Sequence, residues 1–312
     1  DDADPARRLV IAPGDEIVVT RAEHHANLVP WQELAARTGA SLRWLDLTED
    51  GRIDPTTVRV ITERTRLLAL THASNVTGAI TPLVDILPAA RAVGALVVLD
   101  TCQSAAHLPL DFAALHAAGV DAMVLSSHKM LGPTGIGALV AAEELLEAMP
   151  PVLTGGSMIE VVRMESSTYM SGPARFEAGS QPLAQAAGWR TAVDYLSGLG
   201  MDRLHAGELD LMQRVLDGLA ALDGVRVLGP ADTRERLGVV AFTVDGVHPH
   251  DVGQVLDASG VAVRTGHHCA QPIHAHFSVS SSARVSFGVT TTAGEVDRFL
   301  EAAAGVRAYF QR

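Results

Sequence analysis

The stretch AMVLSSHKMLGPTGIGAL, residues 122–139, opens as an apolar β-type run, breaks at SSHK and carries the only lysine of the chain, Lys129. The chain has 24 basic residues, and every other one is arginine. Arginine stays protonated at any accessible pH, whereas a lysine amine can release its proton and attack a carbonyl. One amine kept among arginines, directly after a strand, points to carbonyl chemistry at that strand's end.

Outward from this stretch, EIVVT (16–20), SLRWLDL (41–47), RLLALTH (66–72), ALVVLD (95–100), AMVLSS (122–127) and GIGALVA (135–141) read as strands. Their continuous apolar character predicts burial on both faces. Helical patterns lie between several of them, including NLVPWQELAARTG, ending at Gly39, and LVDILPAARAVG, ending at Gly94. The alternation predicts an α/β fold with a mainly parallel sheet and right-handed crossovers. TGGSMIEVVRMESSTYMSGPARFEAGS is loop-rich, and two long helical patterns follow it. Beyond these, the strands VRVLG, GVVAFTV, VAVR and RVSFGV alternate with the helices HDVGQVLDAS and AGEVDRFLEAAAGVRAYF. The change of texture predicts a large domain over residues 1–198 and a smaller α+β domain over 199–312.

The composition narrows the class. At 312 residues, 47% hydrophobic and 19% charged, the chain can bury a substantial core. A net charge of −12 argues against nucleic acid or an anionic membrane as partner. No apolar run approaches the length of a membrane span. The opening DDADPARRLV is acidic and polar, unlike a secretory signal. Two cysteines, Cys102 and Cys269, make no disulfide framework and suit a reducing compartment, so a cytoplasmic location is expected.

Ligands of open α/β sheets bind beyond the carboxyl ends of the strands. Four of the strands are followed there by polar groups: His24 and His25; Asn75; Asp100 and Gln103; Ser126, Ser127, His128 and Lys129. Singly each is weak, since an aspartate at a strand end usually closes a turn. Together they match the needs of a pyridine cofactor bearing an aldehyde and a phosphate. Lys129 would form a Schiff base with the aldehyde, and Asp100 would hold the ring nitrogen protonated. Ser126 and His128 would meet the phosphate, and His24 would stack on the ring.

A second constellation is VRTGHHCAQPIHAHF, residues 263–277. A zinc site is the first reading, but one cysteine beside adjacent histidines lacks the spacing of structural zinc sites, so no metal is expected. The other reading is a loop that presents Cys269 as a nucleophile, with Arg264 and the imidazoles favouring its thiolate. Cys102 follows an apolar strand and would pack under the cofactor. Arg284, just before a strand, would clamp a carboxylate.

The ordered blocks EHHAN, THASNVTG, VLDTCQ, SSHKMLGPTGIG, RFEAG, VRTGHHCA and ARVSF resemble the SufS-type (group II) cysteine desulfurases, pyridoxal-phosphate enzymes of fold type I in the class V aminotransferase superfamily. The resemblance implies that Lys129 carries pyridoxal 5′-phosphate and moves the α-proton. It implies that His24 stacks, Asp100 pairs with the ring nitrogen, and Gln103 bonds the ring hydroxyl. Ser126 and His128 would hold the phosphate, together with Ser180 reaching across a homodimer. Asn75, Arg264 and Arg284 would position L-cysteine, and Cys269 would take its sulfur as a persulfide, leaving L-alanine. The persulfide would pass to an acceptor protein of SufE or SufU type, engaged by His250, for iron–sulfur cluster assembly. A selenocysteine lyase or a pathway-dedicated desulfurase on the same fold, and a truncated cofactor-free binding partner, are the alternatives. The chain departs from the family at Gln181, at Thr290, Thr291 and Thr292 where Tyr-Asn-Thr is usual, and by an expected missing front segment.

Overall fold

The computed structural model describes residues 9–310, so the first eight residues of the acidic opening, and the reading of them against a secretory signal, lie outside the described residues. The chain enters the first sheet with β1 (Glu16–Thr20), α1 (Val29–Thr38) and β2 (Ser41–Leu45). The helix α1 stops where expected, because Gly39 takes a left-handed φ of 75° and its N–H bonds to the Ala35 carbonyl. Next come β3 (Thr65–Thr71), α2 (Leu83–Ala92), β4 (Leu96–Asp100), α3 (Phe112–Ala118), β5 (Ala122–Ser126) and β6 (Gly137–Ala141). These strands form a six-stranded sheet in the order β2-β1-β3-β4-β5-β6. Every pairing in it is parallel except β5 with β6, so the sheet is mainly parallel as predicted.

Ile17, Val18, Leu68 and Leu70 in β1 and β3 are all 0% exposed. Full burial of such a side chain stabilises by about 1.5–3 kcal/mol. The expectation of two buried faces fails for the edge strands. Trp44 on β2 and Leu139 on β6 are each about half exposed. An edge strand has a neighbour on one side alone, and the apolar pattern does not say which strand that is.

After β6 come α4 (Glu143–Ala148) and an antiparallel hairpin, β7 (Ile159–Val162) with β8 (Ser167–Tyr169). The sequence shows only loop there, because both strands are exposed and have no burial pattern to reveal them. Two helices follow, α5 (Leu183–Leu199) and α6 (Met201–Ala220), broken at Gly200 with its φ of 86°. The remaining elements are β9 (Val225–Leu228), β10 (Val239–Val244), α7 (Pro249–Ala258), β11 (Arg264–Gly266), α8 (Gln271–His276), β12 (Ser282–Ser286) and α9 (Ala293–Phe310). Their strands make an antiparallel sheet in the order β11-β12-β10-β9. The strand expected at VAVR starts only at Arg264, because Val261 N–H bonds back to the Leu256 carbonyl and closes the end of α7.

The threonine run at 290–292 builds the start of α9. Thr292 N–H donates to the Glu295 carboxylate at 2.8 Å, and Glu295 N–H donates back to Thr292 Oγ1 at 3.3 Å. This reciprocal pair is a capping box.

Leu228, Ala241, Ala270, Ile273 and Phe277 share one apolar core with Leu68, Leu70, Val97 and Leu99 of the parallel sheet. That shared core brings the turn between β11 and α8 to the carboxyl edge of the parallel strands. Among the described residues no helix is long and apolar enough to cross a membrane.

Candidate active site

The strands β1, β3, β4 and β5 are consecutive neighbours in the sheet, so the four groups of polar residues that follow them meet along one edge. They wall a cavity of about 510 Å³ lined by His24, Asn75, Asp100, Gln103, Ser126, His128 and Lys129, with Arg264 and Arg284 entering from the second sheet. All but three of the predicted site residues therefore meet in one place.

His24 caps a 3-10 turn, its Nδ1 accepting from Ala26 N–H at 3.1 Å, which leaves Nε2 to carry the proton of the neutral ring. Burial first, and then the positive charge of Lys129, lower its pKa below 6.5. A neutral imidazole is thus held near the lysine. Asp100 ends β4 and accepts from Cys102 N–H at 2.9 Å. Lys129 closes the short 3-10 turn Ser127–Lys129 that follows β5.

Cys102 packs beside this group, its Sγ 3.2 Å from Ser126 Oγ. Burial, reinforced by the Asp100 charge, pushes the thiol up to about 11. At neutral pH it is an unreactive thiol that lines the cavity.

The sequence reading missed two residues that shape this edge. Glu23 is 0% exposed. It accepts from Thr20 Oγ1 at 2.7 Å, Asn27 Nδ2 at 2.7 Å and Thr71 N–H at 2.8 Å. Burial nevertheless raises the carboxyl to about 8, against the pull of those three donors. These bonds tie the His24 turn to the end of β3. His107 lines the cavity, and its Nδ1 meets both Glu208 oxygens at 2.7 and 2.8 Å, which joins the cavity wall to α6. A glutamate at the end of an apolar strand was the available signal for Glu23; nothing in sequence paired His107 with Glu208.

The second constellation comes to the same edge. Asn75 Nδ2 donates to the His268 carbonyl at 2.6 Å, and His25 N–H donates to the Cys269 carbonyl at 2.7 Å. Gln271 N–H donates to His25 Nε2 at 3.0 Å. Cys269 is half-buried and does not itself line the cavity; Arg264, which does, places Nη2 3.3 Å from its Sγ.

Arg264 and Arg284 are directly paired across β11 and β12, which sets both guanidiniums on one side of the sheet. Arg284 Nη1 donates to the Asn75 carbonyl at 2.8 Å. Its Nε and Asn75 Oδ1 are buried without a hydrogen-bond partner among the described residues. Burial first, then Arg264, lower the Arg284 pKa to about 10. Two guanidiniums side by side with spare donors form a site for an anion such as a carboxylate.

Two predicted residues lie elsewhere. Ser180 is exposed ahead of α5, and His250 is exposed in the first turn of α7; neither lines the cavity. Of the histidines around Cys269, His268 and His274 are engaged in other bonds, since both bond Ser282 Oγ. Among the described residues no group of three metal-ligating side chains is placed to hold an ion.

Residues 5–299 match the family described as Aminotransferase class-V. The chain is 52% identical over 299 residues to a probable cysteine desulfurase 2 of Mycobacterium leprae, covering 96% of this chain and 71% of that protein. It superposes on the cysteine desulfurase CsdA of Escherichia coli with a TM-score of 0.91 at 36% identity, over 97% of this chain and 75% of that one. A C-DES variant with glycine covalently linked to its PLP cofactor gives a TM-score of 0.81 at 25% identity, over 96% of this chain and 78% of that one.

Proposed function

The chain belongs to the class-V aminotransferase family, and from that premise we propose that it is a SufS-type (group II) cysteine desulfurase converting L-cysteine to L-alanine with a persulfide on Cys269. It is an enzyme, and pyridoxal 5′-phosphate is its cofactor. The residues around the cavity fit that group chemically. Lys129 offers the amine, Asp100 an acid for the ring nitrogen, His24 a neutral ring to stack, and Ser126, His128 and Gln103 polar contacts for the phosphate and ring hydroxyl. When bound, the cofactor supplies an electron sink for charge that develops on the substrate carbon atoms.

The chain's own residues divide the remaining work. Arg284 and Arg264 hold the substrate carboxylate, with Asn75 beside them. Lys129 Nζ takes the proton from Cα and returns one later. Cys269 attacks the substrate sulfur as a thiolate. A sulfur–sulfur bond forms and the carbon–sulfur bond breaks, its electron pair passing to the carbon side, which gains a proton and leaves as alanine. Arg264 Nη2 donates to the Cys269 sulfur, where negative charge sits before the attack. That contact, at the rim of a cavity that also holds Lys129, Asp100 and His24, carries this reading.

The wider assignment rests on the same proposal. We place the division between the cofactor-binding part and the C-terminal part near Gly200, where α5 and α6 break. A second copy would dock beside the exposed Leu183, three residues from Ser180, whose hydroxyl would then reach the partner's phosphate site. His250, exposed at the start of α7, would meet a sulfur acceptor of SufE or SufU type in the cytoplasm, feeding iron–sulfur cluster assembly.

The test is Cys269→Ser in the PLP-loaded protein. The variant is expected to bind the cofactor with an unchanged visible spectrum and to form no persulfide and no alanine from cysteine. Alanine production at the wild-type rate would remove Cys269 from the reaction.

A further inference from the structure

Behind Cys269 runs a polar chain that the proposed reaction leaves unused. His274 Nδ1 lies 2.9 Å from the Ala270 carbonyl, which only accepts, so this nitrogen carries the proton. Burial lowers the His274 pKa, so the ring is neutral and its Nε2 is an acceptor. Ser282 Oγ, 3.0 Å away, must therefore donate to Nε2. Having donated, the hydroxyl oxygen accepts from His268 Nε2 at 2.9 Å. His268 then has a bare Nδ1, which is buried and has no hydrogen-bond partner among the described residues. Each proton in the chain from Ala270 to His268 is fixed by its neighbour, and among the described residues Ser282 is the one group bonded to both rings.

The chain ends on a strained segment. His268 and Cys269 have φ of 52° and 59°, a left-handed conformation that residues with a Cβ adopt at a cost. Such conformations persist where the surroundings over-determine them. Here the Asn75 side chain and the His25 backbone hold the two carbonyls, and Ser282 holds the His268 ring. His268 and Ser282 are 1% and 0% exposed.

We propose that Ser282 is a positioning residue for Cys269: by accepting from His268 and donating to His274, it fixes the left-handed turn that sets the Cys269 sulfur against Arg264. The inference rests on the reading of Cys269 as the sulfur-accepting nucleophile, but its test does not require turnover.

The experiment is a double-mutant cycle on the PLP-loaded protein without cysteine, reading the iodoacetamide alkylation rate of each cysteine by peptide mass spectrometry. In the wild-type background Arg264→Leu changes the Cys269 rate. In the Ser282→Ala background the same change is expected to have little further effect, a coupling of about threefold or more. Ser282→Thr, which keeps donor and acceptor, is expected to restore the wild-type response. Independent, multiplying effects would overturn the proposal, as would an equal rise in Cys102 alkylation, which marks general loosening. If Ser282→Ala does not fold, His274→Leu takes its place, since it removes the acceptor that orients the Ser282 hydroxyl. The same coupling is expected there, and its absence counts equally against the proposal. Loss of coupling with persulfide formation intact refutes this inference alone, whereas loss of persulfide formation in the wild type refutes the desulfurase reading.

Discussion

Arg264 faces Arg284 in direct register across β11 and β12, and of the two only Arg264 touches the Cys269 sulfur, at 3.3 Å. In the proposed reaction both guanidiniums hold the substrate carboxylate, and Arg264 alone of the two would also serve the nucleophile, while Arg284 is anchored on the Asn75 carbonyl. Arg264→Leu is expected to slow single-turnover persulfide formation by about tenfold or more, since a hydrogen bond from a charged group contributes about 1.5–3 kcal/mol. Rapid-quench measurement of persulfide checks it, with an unchanged cofactor spectrum as the control.

Arg284→Lys keeps the charge and loses the planar fork. One Arg284 nitrogen is already bonded to Asn75, so a lysine cannot both keep that bond and grip a carboxylate on two sides. The KM for cysteine is expected to rise by about tenfold, with a smaller change in kcat. Steady-state alanine formation over a cysteine series would show it, and an unchanged KM would take Arg284 out of substrate binding.

The buried titratable groups predict how stability depends on pH. Burial lowers His72 from 6.5 to about 4, and lowers His268, with Arg284 and Arg264 adding to the effect, to about 3. The unfolded chain takes up these protons more readily, so the stability they provide is complete above pH 6.5 and lost as pH falls toward 4 and below. Glu23 works in the opposite sense. Its folded pKa of about 8 lies above 4.5, so its contribution is complete below pH 4.5 and lost as pH rises through 8. Urea midpoints are expected to peak near pH 6.5. Glu23→Gln should flatten the alkaline limb, and His72→Gln the acid limb.

His107 and Glu208 are 14% and 6% exposed at their side chains and bond each other from sequence positions 101 residues apart. His107→Ala leaves a buried carboxylate without its partner and is expected to cost about 3 kcal/mol or more. Replacing both residues by leucine should recover most of that loss in urea denaturation. A full loss in the double variant would mean that His107 acts through packing alone.

The parallel sheet was legible because its central strands are continuous apolar runs, and because Gly39 marks the end of α1. The site edge was legible because adjacent parallel strands bring their following residues together whatever the loops between them do. Three things escaped the sequence for a common reason. Glu23, His107 and Ser282 acquire meaning only from partners that the fold delivers: Thr71 lies 48 residues from Glu23, Glu208 lies 101 from His107, and His268 lies 14 from Ser282. The β7–β8 hairpin escaped because an exposed strand has no burial pattern, and β11 starts later than the apolar VAVR run because Val261 belongs to the closing turn of α7.

Everything in the proposed reaction depends on Lys129 holding the cofactor. The most direct test of that role is the visible absorption spectrum of the purified chain on addition of pyridoxal 5′-phosphate, beside Lys129→Ala. A protein-bound band is expected in the wild type and absent from the variant, with the two proteins equally folded by circular dichroism. The same band in both, or none in the wild type, would contradict that role.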